Sequence, residues 1–190
     1  MRKALVTSLA LVLLLAACQR KAEQQAPPPK PAAPAPAPVE APSAPAPATG
    51  FSHAAGLDQF GYYMPQTDVT FGSYRLRNLH VGSAEELAAY ERGQSVSPAY
   101  APVMLEFVDI SQGEEGPVRR VLPDSYALTG GKISFKGHDE ILGEVVFEGE
   151  IDTKALARVR SGGGEEPVLK GVVSAMRQRL TRSFTWFGGD

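Results

Sequence analysis

The chain holds a single cysteine among its 190 residues, Cys18. One sulfur cannot form an internal disulfide, and zinc sites built from several cysteines are excluded with it. Histidine is almost as scarce: His53, His80 and His138 stand far apart, with no His-x-x-x-His or Glu-x-x-His spacing for a metal. The Gly-x-Ser-x-Gly elbow of a serine hydrolase is missing. The runs Gly130-Gly131-Lys132 and Gly162 to Gly164 lack the spacing and the hydroxyl residue of a phosphate loop, and no calcium-loop pattern of alternating acids occurs. No catalytic residue, metal or cofactor is therefore assigned. His53, His80 and His138 could still converge in the fold with Asp124 or Asp139, but Gly137-His138-Asp139-Glu140 reads as a solvated connection between strands. Strong charge of either sign is also lacking. Nineteen basic residues face 21 acidic ones, a net −2, too mild to point to nucleic acid or to an anionic membrane surface.

There is only one long apolar run, and it lies at the start. Arg2 and Lys3 precede Ala4 to Leu15, broken only by Thr7 and Ser8, and Leu15-Ala16-Ala17-Cys18 closes the stretch. A positive start, a short apolar run and a small-residue end form the pattern of a secretory signal peptide, too short for a comfortable membrane span. With its cysteine the closing tetrapeptide resembles the lipobox of bacterial lipoproteins. That resemblance implies cleavage between Ala17 and Cys18, a diacylglyceryl thioether on the Cys18 sulfur and a fatty acyl group on the new amino terminus. Stable anchoring takes at least two lipid signals, which this arrangement would exceed. Gln19 stands where the class carries Asp for inner-membrane retention, so the resemblance implies the outer membrane of a Gram-negative cell, facing the periplasm. Lipidation would also consume the only thiol. Loss of Arg2 and Lys3 leaves 17 basic against 21 acidic residues in the mature chain, net −4.

From Ala26 to Thr49 the chain is nearly all Pro and Ala, and ten of its sixteen prolines fall between Pro27 and Pro47. Proline fixes its own φ and donates no hydrogen bond, so this stretch predicts an extended polyproline tether rather than a core. At 3.1 Å per residue, Pro27 to Pro47 reaches about 65 Å. A docking ligand for another domain is the alternative, but the repeat is Ala-Pro without the basic flanks of a Pro-x-x-Pro ligand. The expected organisation is a signal peptide over 1–17, a lipidated cysteine and disordered spacer over 18–49, and one globular domain over 50–190.

Within that domain, alternation and turn chemistry predict an all-β fold: an antiparallel sandwich or partly open barrel of seven or eight strands with one or two short helices. The opening, Phe51 to Pro65, carries Phe60, Tyr62 and Tyr63 without a clear period. It reads as an irregular arm across a sheet edge, or as an aromatic binding platform. Val69 to Tyr74 alternates and continues with a bend to Val81. Ser83-Ala-Glu-Glu86 is a capping box that starts a helix ended by Gly93. Val103 to Ile110 is a strand with Glu106 opposite Val103, Leu105 and Phe107, and Val118 to Leu122 is a strand that Pro123 makes an edge or bends. Thr129-Gly130-Gly131-Lys132 marks a hairpin between Tyr126–Leu128 and Ile133–Phe135. Ile141 to Asp152 is the clearest strand, with period two over twelve residues. Asp152 caps a brief helix over Thr153 to Arg160, and Val168–Ala175 and Leu180–Phe187 are the last strands.

Two charge stripes remain. Acids line one face of Glu144 to Asp152, and Arg177, Arg179 and Arg182, with Arg158 and Arg160, gather near the end. Either the arginines form a docking patch for an acidic partner, or the two stripes pair across neighbouring strands. Arg177, Arg179, Arg182, Tyr62 and Tyr63 are the candidate partner-binding residues. The functional expectation is a lipid-anchored, non-enzymatic β module that binds or scaffolds a periplasmic protein or cell-wall component. The alternative is an immunity or inhibitor lipoprotein that blocks a periplasm-targeting hydrolase with a loop such as Gln112 to Gly116.

Overall fold

The computed structural model describes residues 50–189 apart from 57, 95 and 96, with only the backbone of Gln112. Ala17, Cys18 and the whole Pro/Ala segment lie outside the described residues.

Eleven strands and two helices follow one another: β1 (Phe51–His53), β2 (Gly61–Pro65), β3 (Thr70–Phe71), β4 (Tyr74–Val81), α1 (Ala84–Glu91), β5 (Val103–Asp109), β6 (Val118–Val121), β7 (Pro123–Thr129), β8 (Lys132–Asp139), β9 (Gly143–Ile151), α2 (Thr153–Arg160), β10 (Leu169–Ala175) and β11 (Gln178–Phe187). Ten of them form one hydrogen-bonded row, β1-β7-β8-β9-β10-β11-β2-β4-β5-β6, and β3 pairs with β4 off that row. The all-β class is as expected, and of the two expected forms the partly open barrel, not the sandwich, is the one present, with more strands than seven or eight.

The curl follows from connectivity. β6 ends the row, β7 stands next to its other end, and only Leu122 joins them. Two virtual bonds span at most about 7.6 Å, so the row must bend until its ends lie side by side. It stays an open half-barrel because the outer edge of β7 is occupied. Phe51, Ser52 and His53 pair with Tyr126, Ala127 and Leu128 in a short parallel ladder, while every other pairing is antiparallel. Pro123 moreover offers no N–H. The seam is bridged by side chains: Arg119 on β6 reaches Asp139 on β8 at 2.9 Å.

The concave face holds the core, in which Tyr63, Phe71, Phe107, Tyr126, Phe135, Phe147 and Phe184 are fully buried. The local expectations that rested on capping and alternation hold. Ser83 and Glu86 close the capping box of α1, and Asp152 accepts from the Lys154 and Ala155 amides at the start of α2. Val145, Phe147 and Ile151 of β9 point inward while Glu144 and Glu150 face water, although the strand starts at Gly143 rather than Ile141, which is exposed in the turn before it. Gly130 and Gly131 take φ of 56° and 84°, the pair of left-handed residues that a two-residue type I′ hairpin requires.

Three expectations need correction. The segment 51–65 lies along a sheet edge only at its start, where β1 pairs with β7: β2 is an interior strand between β11 and β4, because Gly61 lets the chain run against Trp186 and enter the sheet. The expected continuous strand from Val69 to Tyr74 is broken by a hairpin turn at Gly72 (φ 59°) and Ser73, whereas the bend expected before Val81 is present as an irregularity between Leu76 and Asn78. His138 and Asp139 end β8 rather than forming its connection, and Asp139 is withdrawn from solvent. Burial favours its neutral acid, but the amides of Leu142 and Ile141 and the Arg119 guanidinium outweigh that and hold its carboxyl below the usual range.

Candidate functional site: a polar-floored groove on the convex face

The alternation of β4 breaks once. Leu76 stands opposite Phe107, but the next paired residue is Asn78, opposite Glu106, so Arg77 is an extra residue in a β-bulge. A bulge re-aims the side chains around it. Here Leu76 and Leu79 both enter the core, and Arg77 and Asn78 both line a groove on the other face of the sheet.

That groove, about 540 Å³, runs over β2, β4, β5 and β6 and reaches the end of β11. Its apolar wall is Tyr62, Met64, Val118 and Phe187, the last three exposed large hydrophobics. Its floor is polar and buried, which is unusual for the outer face of a sheet. Glu106 accepts from Asn78 Nδ2 at 3.1 Å and from Arg120 Nε at 2.8 Å. Burial alone would raise the Glu106 carboxyl. The hydrogen bonds from Arg120 and Asn78, with the charges of Arg120 and Arg77, outweigh it and hold the carboxyl below its ordinary value. Facing an ionised carboxylate, Asn78 must present its NH₂, which leaves Oδ1 buried without a donor among the described residues.

A second chain of bonds fixes the flank. In α1, Glu86 Oε2 accepts from the Ser83 amide as part of the capping box, and Oε1 accepts from the Tyr100 hydroxyl at 2.8 Å. The Tyr100 oxygen is then an acceptor for His80 Nε2–H, 3.1 Å away. Burial lowers the pKa of His80, the carboxylates of Glu86 and Glu106 opposing it, so its ring is neutral with the proton on Nε2. Nδ1 is a bare acceptor with no partner among the described residues. The Tyr62 ring covers this imidazole, centroid to centroid at 4.8 Å. Helix capping and histidine tautomer are thus set by one carboxylate.

The candidate residues fall in different places. Tyr62 lines the groove, whereas Tyr63 is fully buried with its hydroxyl donating to Gln59 O at 2.7 Å, so it is a core residue. Arg177 and Arg179 line a wider cavity of about 780 Å³ beside the β10–β11 hairpin. Arg179 approaches Glu148 only at 3.8 Å. Arg182 is not in that cavity and donates to the carbonyls of Thr181 and Asp68. Arg158 pairs with Glu166, and Arg160 pairs with Asp58 while lying over the Trp186 ring. The five arginines are therefore not one patch. The loop Gln112 to Gly116 is tied back, since Arg75 bonds Glu114.

His53 bonds Glu91, His80 bonds Tyr100, and His138 is exposed at the end of β8. Among the described residues no group of three or more His, Asp or Glu is arranged to hold a metal ion.

Arg77, Asn78, Tyr100, Glu106 and Arg120 were not singled out by sequence reasoning as a site. The signal was the phase change in β4, where inward apolar residues at Tyr74 and Leu76 give way to Leu79 and Val81. No protein-family model, curated protein or solved structure matches the chain.

Proposed function

We infer that the chain is an envelope lipoprotein, anchored through Cys18 in the outer membrane and facing the periplasm, whose β domain captures a periplasmic protein or cell-wall component. The groove over β2, β4, β5 and β6 carries this reading. Exposed Met64, Val118 and Phe187 beside the buried Asn78–Glu106 pair and the half-exposed Arg120 make a mixed surface of the kind ligand sites present. A binding role suits it better than a catalytic one. Glu106 is held ionised by two donors, and His80 is held neutral behind Tyr62 and Tyr100, so neither is poised to exchange a proton with a ligand. The Pro/Ala composition of residues 27–47 supports a tethered rather than membrane-embedded domain in this reading.

Photo-crosslinking in intact cells tests this. A photoreactive residue in place of Met64 or Val118 is expected to yield a discrete adduct, and one in place of exposed Lys170 on β10 none. Adducts from all three positions alike, or from none, would count against a groove-directed partner.

A further inference from the structure

Resting on the groove as the binding site, we propose that its ligand is the carboxyl-terminal residue of a peptide with an apolar side chain. The wall and floor carry three complementary features within one cleft. Arg77 has no hydrogen-bonded or ion-paired partner among the described residues, and Arg120 uses only Nε on Glu106, so guanidinium N–H groups remain on both. Guanidinium groups bind carboxylates through paired charge-assisted bonds. Between these two cations lies Glu106, whose two oxygens hold one donor each, so the carboxylate keeps acceptor capacity for a ligand N–H. Beside both stands the apolar wall of Tyr62, Met64 and Phe187.

A chain-terminal amino acid offers this combination from one carbon: a carboxylate, an amide N–H and an apolar side chain. An anionic lipid headgroup would satisfy the arginines and the apolar wall but brings no amide. The mature chain, at net −4, also has no overall attraction to an anionic membrane.

Methionine methyl signals read the binding directly, because the mature chain keeps three methionines: Met64 and Met104 line the groove, while Met176 lies in the β10–β11 turn. The lipidated protein in detergent micelles, labelled at the methionine methyls, is titrated with N-acetyl-alanyl-leucine, with its carboxamide, and with short-chain phosphatidylglycerol. The acid is expected to shift Met64 and Met104 but not Met176, with the carboxamide at least tenfold weaker. Arg77→Gln should weaken the acid at least threefold and leave the carboxamide unchanged; Arg77 is exposed and unpaired, so the fold should tolerate the change. Equal binding of acid and carboxamide, shifts with phosphatidylglycerol alone, or no shift at all would overturn the assignment. If the crosslinks at Met64 persisted in any of those cases, the ligand class would be wrong and the groove reading would stand.

Discussion

Asn78 Nδ2 lies 3.1 Å from Glu106 Oε2, a contact between β4 and β5 that exists because the bulge at Arg77 turns two consecutive side chains onto the convex face. Replacing Glu106 by Ala strands the Asn78 amide and frees Arg120, and a hydrogen bond to a charged group is worth about 1.5–3 kcal/mol. Arg120 is half exposed, which discounts its share. Glu106→Ala should therefore cost about 2 kcal/mol in urea denaturation, with Arg120→Ala costing clearly less. Equal costs would mean that the ion pair, not the buried amide, holds the floor.

Gly61 admits β2 to the middle of the sheet. A Cβ there would stand 2.1 Å from Trp186 Nε1, whose proton is donated to Phe60 O at 2.9 Å, and the residue holds φ 138°. Gly61→Ala forces the indole away, and overpacking of this kind costs about 1–3 kcal/mol. The expected readout is a lower melting temperature with a red shift of the single tryptophan's fluorescence. An unchanged spectrum would show that the indole is not held there.

The β10–β11 hairpin carries Met176 and Arg177 at φ 47° and 61°, left-handed positions that Asn and Gly fill more readily. Met176 packs against the core and Arg177 does not, so only the second position is free to change. Arg177→Gly should stabilise the domain by about 0.5–1 kcal/mol, since a side chain in that region costs roughly 1 kcal/mol or more. A loss of stability instead would mean that the Arg177 side chain makes a contact worth more than the strain.

Acid should weaken the fold in two stages. His80 has its pKa lowered from 6.5 by burial, so below that value the unfolded chain takes up a proton that the folded one refuses, and stability falls as pH falls. Glu106 and Asp139 are held below 4.5 and 3.8, so their contribution is present above those values and is lost as pH drops through their folded pKa values. Melting temperature against pH should decline first below about 6.5, and His80→Gln should flatten that first stage only. A slope unchanged in His80→Gln would assign it to other groups.

Local signals carried well from sequence to structure where one residue type has one physical use. The capping box at Ser83, the N-cap at Asp152, the Gly130-Gly131 turn and the period of β9 each name a conformation with few alternatives. What failed was long-range. Nothing around Gly61 marks β2 as an interior strand, because its neighbours β11 and β4 are set by pairing far along the chain. The groove was hidden for the same reason. Asn78, Glu106 and Arg120 sit on three strands and converge only once the bulge shifts the register, and the charged residues most visible as a cluster, Arg158 to Arg182, disperse.

The functional account depends on the domain being held in the envelope by lipid on Cys18, and the mass of the mature amino terminus tests that most directly. The account predicts an amino-terminal peptide beginning at Cys18 and carrying a diacylglyceryl group on sulfur and an acyl group on nitrogen. A terminus at any other residue, or Cys18 with a free thiol, would contradict it.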